Sequence, residues 1–163
     1  MEQRRFSDYE RGAPSALLAD AYSGSPELVE RYAGEWDAFD SFLYANLAVM
    51  DRCGFISVED GRPIGFISWD PRNLPATVEI GHNCIVRAQQ GLGKGRVQLL
   101  IGIDRMRGLN PERILVRTGT GPFFLPARKM YLAAGFRPVR TIDRGEGVVP
   151  AVIDYELRER SGP

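Results

Sequence analysis

The stretch QQGLGKGRVQLL, Gln89 to Leu100, sets three alternate glycines, Gly91, Gly93 and Gly95, against the start of an apolar helix. Glycine lacks a Cβ and admits positive φ, so a backbone built from it can bring its amides close to a ligand. At a helix start those amides have no intrahelical acceptors and lie at the positive end of the dipole. The pattern predicts an anion site, with phosphate the natural occupant.

Outward from this loop, the flanking sequence reads as a strand, Thr77–Val86, then a helix from about Gly93 to Arg107 stopped by Gly108. Val97, Leu100 and Ile101 give that helix an apolar stripe. Leu99, Ile103 and Met106 widen it, so the helix is predicted to be well buried. RILVRT, 113–118, follows as a short buried strand, so strand, helix and strand form a βαβ unit whose strands should be parallel. Before it, GFISVEDGRPIGFISW (54–69) places Asp60-Gly61 between two β-rich runs, a hairpin signal. After it, LPARKMYLAAGF (125–136) reads as a helix with Pro126 in its first turn and Gly135 as cap. FRPVRTI and AVIDYEL then read as an antiparallel strand pair.

The first fifty residues read as helical after a short strand near Gln3–Phe6. Ser25 is placed as an N-cap before Pro26, and Phe39, Phe42 and Leu43 fall at helical spacing. The fold class is therefore α/β (α+β): a mixed, mostly antiparallel sheet with a central parallel βαβ unit, flanked by helices.

At 163 residues the chain is expected to form one domain. Lys+Arg and Asp+Glu both number 21, so a formal charge of zero argues against nucleic acid or an anionic membrane as a bulk electrostatic partner. Two cysteines, Cys53 and Cys84, suit neither a disulfide scaffold nor a zinc cluster, and no metal site is expected. MEQRRFSDYE has no apolar stretch after its arginines, and no apolar run approaches the roughly 20 residues of a membrane span. The expectation is a cytoplasmic protein.

Two familiar phosphate loops fail against Gln90–Arg96. A P-loop needs G-x-x-x-x-G-K-[ST], but Lys94 is followed by Gly95 and no glycine stands five residues before Gly93. The dinucleotide pattern G-x-G-x-x-G fails because the third glycine comes one place early. Q-x-x-G-x-G does fit, with Gln90, Gly93 and Gly95. This resembles the pyrophosphate loop of the GNAT superfamily of N-acetyltransferases. Downstream, Ala127, Tyr131, Gly135 and Phe136 resemble that family's A-x-x-x-Y-x-x-x-G-F helix, and the resemblance spans Gly54 to Leu157.

The resemblance implies acetyl-CoA as cosubstrate, within a single domain whose cofactor-binding core is 54–157 and whose acceptor-side helical segment is 1–50. Loop residues Gln90, Gly91, Leu92, Gly93, Lys94, Gly95 and Arg96 would cradle the pyrophosphate, with Lys94 and Arg96 adding charge or simply facing solvent. Cys84, Ile85 and Val86, to within one residue, would pair with the pantetheine arm, and an amide among them would hold the oxyanion. Tyr131 stands where the family's general acid stands; a phenol near pKa 10 is protonated at neutral pH and can donate.

For the base, Glu79 is the candidate if partial burial raises its pKa. His82, three residues on along a strand, should face the other way and be structural. Direct transfer is implied, without an acyl-cysteine. The family's asparagine seven residues before the tyrosine is Phe124 here, so the apolar stretch around it either lines the acceptor channel or packs into the core. Glu27, Glu30, Glu35, Asp37 and Asp40, with Tyr22, Tyr32, Trp36 and Tyr44, are either a cation-receiving surface or the charged face of an amphipathic helix. The implied acceptor is an amine of a small molecule or peptide and the implied assembly a monomer or homodimer. A non-catalytic acyl-CoA sensor is the alternative.

Overall fold

The computed structural model describes residues 1–158. In chain order its elements are β1 (Glu2–Arg4), α1 (Ala13–Tyr22), α2 (Pro26–Ala45), α3 (Leu47–Met50), β2 (Gly54–Glu59) and β3 (Arg62–Asp70). They continue with β4 (Thr77–Ile85), α4 (Lys94–Arg107), β5 (Arg113–Gly119), α5 (Leu125–Ala133), β6 (Arg137–Asp143) and β7 (Ala151–Arg158). The strands form a seven-stranded sheet in the order β1-β2-β3-β4-β5-β7-β6. β4 and β5 are the parallel pair, joined through α4, while β1–β2, β2–β3, β5–β7 and β6–β7 run antiparallel. The mixed sheet and central βαβ unit are as the sequence predicts.

Local chemistry accounts for most of these elements. Asp60 and Gly61 both take positive φ, 50° and 74°, the turn whose twist matches the two strands it joins. Pro26 sits in the first turn of α2, although the Ser25 side chain makes no capping hydrogen bond. α2 runs unbroken for 20 residues, with no glycine or proline between Trp36 and Ala45 to interrupt it. Gly135, at φ 99°, ends α5 as a left-handed cap.

Three expectations need correction. The first strand stops at Arg4, and Phe6 instead lies in a short 3-10 turn with its ring wholly buried, edge-on to Phe66 at 5.9 Å. Of the residues set at helical spacing in α2, Phe42 is 55% exposed and Leu43 is fully buried. In α4, Val97 and Leu100 are also exposed, whereas Gln98, Leu99, Ile103 and Met106 are buried. The inward stripe is thus the part drawn by Leu99, Ile103 and Met106, on the side of the helix away from Val97 and Leu100, and a glutamine lies within it.

The chain divides into two compact units: Met1–Ser68 with His82–Leu99, and Trp69–Gly81 with the chain from Leu100 onward. The first is centred on Phe6, Leu18, Trp36, Leu43, Ile56 and Phe66. In the second, Val78, Ile114, Val116, Tyr131, Phe136 and Tyr155 are buried.

Candidate functional site

The glycine loop belongs to the first unit and is tied down from both sides. After a 3-10 turn at Arg87–Gln89, the Arg87 amide donates to Asp20 Oδ1 at 2.7 Å. Gln90 Nε2 donates to the carbonyls of Ala21 (2.8 Å) and Ile85 (2.9 Å), clamping the loop between the end of α1 and the end of β4. Its side chain is therefore spent on holding the loop.

Gly91 and Gly93 take φ of 74° and 78°, and a Cβ at either would meet nothing within 4 Å. Conformation, not crowding, requires glycine there. Among the described residues, none of the amides from Gly91 to Arg96 donates to an acceptor; Val97 is the first to do so, to Gly93 O at 3.2 Å. Successive unpaired amides at the start of a 14-residue helix are donors of the kind that suit an anion. Lys94 does not leave its charge free for an anion there. Its ammonium is paired with the Glu59 carboxylate at the end of β2, and both side chains are largely buried. Arg96 is exposed.

At the end of β4, the backbone amides of Ile85 and Val86 differ in their partners. The Val86 amide donates to Ile64 O at 2.8 Å, so it is already committed to β3. By the alternation of a strand, the Ile85 amide points to the opposite edge, away from β3. Burial pushes the Cys84 thiol up to about 12, which keeps it protonated and inert. His82 packs 4.2 Å from the Phe39 ring and 5.7 Å from Phe66, with Nδ1 3.4 Å from Ser68 Oγ. Burial drives its pKa down to about 4 against a weak opposing pull from Glu35, so the ring is neutral at physiological pH. Its aromatic packing agrees with the structural role expected of it.

The acidic and aromatic residues of α2 also do structural work. Asp40 is buried and accepts the Gly12 amide at 3.0 and 3.1 Å; Glu35 pairs with Arg31 at 2.7 Å. Tyr44 donates to the carbonyls of Tyr9 and Glu10. Tyr22, Tyr32 and Trp36 pack on one another at centroid distances of 5.0–6.1 Å. Glu27, Glu30, Glu35 and Asp37 lie exposed along α2, as a charged face would, whereas Asp40 is buried.

The proposed acid and base lie in the second unit. Tyr131, on α5, is buried, with its ring 5.7 Å from Phe136 and 6.3 Å from Tyr155. Glu79 is exposed on β4, so the partial burial that base work would use is absent. Phe124 is buried, and its ring lies 2.4 Å from where a Cβ on Gly119 would stand. The Phe124 ring fills the space a side chain at 119 would need, while Pro122, Leu125 and Pro126 beside it are exposed.

Sequence reasoning missed Asp154, which bridges Arg117 and Arg140 across β5, β7 and β6, each at 2.6 Å. The bonds from Arg117, then Arg140, outweigh burial and hold its carboxyl below the usual range. The signal for it is present only in the strand pairing, which puts Arg117 and Arg140 opposite Asp154. Among the described residues no cluster of histidine, cysteine, aspartate and glutamate could hold a metal ion. None of their helices is long and apolar enough to cross a membrane.

This arrangement of sheet, loop and helix is the fold of the GNAT acetyltransferases. A ribosomal-protein-alanine N-acetyltransferase from Brucella melitensis superposes with a TM-score of 0.77, at 14% identity over 98% of this chain and 100% of that one. A Salmonella typhimurium protein described as an acetyltransferase, solved with acetyl-CoA, gives 0.76 at 17% identity over 100% of this chain and 97% of that one. An aminoglycoside 6'-acetyltransferase type Ii gives 0.70 at 15% identity with both chains covered in full. No protein-family model and no curated protein sequence matches the chain.

Proposed function

We propose that this chain is an acetyl-CoA-dependent N-acetyltransferase, a single domain over residues 1–163 that transfers the acetyl group directly to an amine of a small molecule or peptide. The observation that carries the reading is the run of unpaired amides from Gly91 to Arg96 at the start of α4, in the fold shared with acetyltransferases. Those donors fit a pyrophosphate, which needs several hydrogen bonds and no bulky side chain in the way.

Acetyl-CoA, when bound, supplies the acetyl thioester. The loop amides hold the pyrophosphate, with Gln90 fixing the loop and Gly91 and Gly93 permitting its path. Among Cys84, Ile85 and Val86, the Ile85 amide is the donor for the developing oxyanion, because Val86 is bonded to β3. Tyr131 gives its phenolic proton to the departing thiolate, and Glu79, exposed to water, accepts the proton the amine loses. Both acceptor classes have support among the structural neighbours, one named for a ribosomal-protein alanine and one for an aminoglycoside. The protein works in the cytoplasm, as a monomer or homodimer.

A second reading, a non-catalytic acyl-CoA sensor, is favoured by Phe124 in the asparagine position and by the exposed Glu79. Calorimetric titration with acetyl-CoA, with ATP and NAD beside it, tests the cofactor; acetyl-CoA alone should bind, and silence from it would sink both readings. Tyr131→Phe then separates them. An enzyme loses turnover while keeping acetyl-CoA affinity, whereas a sensor has no turnover to lose.

A further inference from the structure

Gln98 is fully buried on the inward stripe of α4, beside Leu99, Ile103 and Met106. Its Nε2 donates to Phe66 O at 2.9 Å, Cys84 O at 3.1 Å and Asn83 Oδ1 at 2.7 Å. Its Oε1 has no partner among the described residues, and neither does Asn83 Nδ2. The amide cannot turn over, because that would set Oε1 against two main-chain carbonyls. A buried amide with an unmet acceptor is costly at a position where leucine would pack. In return, this one holds the carbonyls of two adjacent strands.

Those carbonyls lie on neighbouring strands, β3 and β4. The Phe66 amide lies against the Cys84 sulfur, where it partly offsets the effect of burial on the thiol. A Cβ on Gly65 would stand 2.1 Å from Cys84 O, so only glycine fits beside that carbonyl. Immediately beyond, the Val86 amide rejoins β3 at Ile64, and Ile85 O receives the Gln90 clamp.

We propose that Gln98 is a positioning residue: by tying the Phe66 and Cys84 carbonyls to α4, it sets the path of β4 at Ile85 and Val86 and so presents the strand to the pantetheine arm of an acyl-CoA. This rests on the acetyl-CoA reading above. Gln98 touches neither the phosphate loop amides nor the reacting atoms. Its influence runs through the strand.

The test compares wild type, Gln98→Leu and Gln98→Met in two measurements. In the first, calorimetry is run with acetyl-CoA and with phosphoadenosine diphosphate, the half of CoA that keeps the pyrophosphate and lacks pantetheine. The proposal expects about tenfold weaker acetyl-CoA binding, the scale of one lost buried hydrogen-bonding group. Phosphoadenosine diphosphate should change less than about twofold, since its binding runs through amides Gln98 does not touch. Equal losses for both ligands, or none for either, would overturn it.

The second measurement is amide hydrogen exchange without ligand. Faster exchange at Val86 in both variants, with Leu99–Ile103 still protected, supports the hold on β4; unchanged exchange at Val86 refutes it. Should wild type bind neither compound, the acetyl-CoA reading falls, while the exchange result still decides whether Gln98 sets the strand.

Discussion

Replacing Gly93 by alanine isolates the backbone's contribution to the proposed anion site. The residue has φ of 78°, and an added Cβ would meet nothing within 4 Å, so no steric clash enters the cost. What remains is the left-handed conformation, about 1–2 kcal/mol for an L-residue. Alanine also reduces the freedom of the unfolded chain, which offsets about 0.4–1 kcal/mol and leaves a net cost on the order of 1 kcal/mol.

Where that cost appears depends on the free loop. If the loop keeps its conformation, thermal stability falls by about 2–4 °C and acetyl-CoA affinity is unchanged. If the free loop relaxes, stability holds and affinity falls about fivefold. In both cases the complex, measured from the unfolded chain and free ligand, loses about 1 kcal/mol. Thermal melts with and without saturating acetyl-CoA, together with calorimetry, give all three quantities. A complex as stable as wild type would refute the positive-φ argument. A loss above about 4 kcal/mol would mean that the alanine meets a steric obstacle.

Two further predictions concern stability alone. His82 is held neutral in the folded chain, its pKa lowered from 6.5 to about 4. Stability should therefore be full above the ordinary value and decline as pH falls from 6.5 toward about 4, by up to about 3 kcal/mol. Urea midpoints measured across that range should slope in wild type and flatten in His82→Leu; equal slopes would show that the imidazole is not the source. Gly34 lies exposed inside α2 with nothing within 4 Å of an added Cβ. Gly34→Ala should raise stability by about 0.5–1 kcal/mol, and a lower melting temperature would mean that the site is not regular helix.

Much of the fold was legible because its signals are local. Asp60-Gly61 specifies a hairpin turn by the φ values those residues tolerate, and the alternate glycines before an apolar helix specify a strand–loop–helix by the same physics. Tyr131 lies on one short helix and Gly135 caps its end, so their spacing is set within a few residues of chain. These features depend on neighbours a few residues apart, which is the range over which backbone conformation and periodicity act.

The tertiary structure decided whatever depended on partners distant in sequence. Apolar periodicity pointed Val97 and Leu100 inward, but α4 buries Gln98 instead, because its amide finds the carbonyls of Phe66 and Cys84 on two strands. Lys94 reads as either a phosphate contact or a solvated charge until Glu59, at the end of β2, pairs with it. The asparagine position holds Phe124 against a glycine whose missing Cβ makes room for the ring. A hydrogen bond to a residue 22 positions earlier, not composition, commits the Val86 amide to Ile64. Hydrogen bonding and close packing are short-ranged in space and indifferent to separation along the chain, so the identity of each partner emerges only when the sheet brings distant segments together.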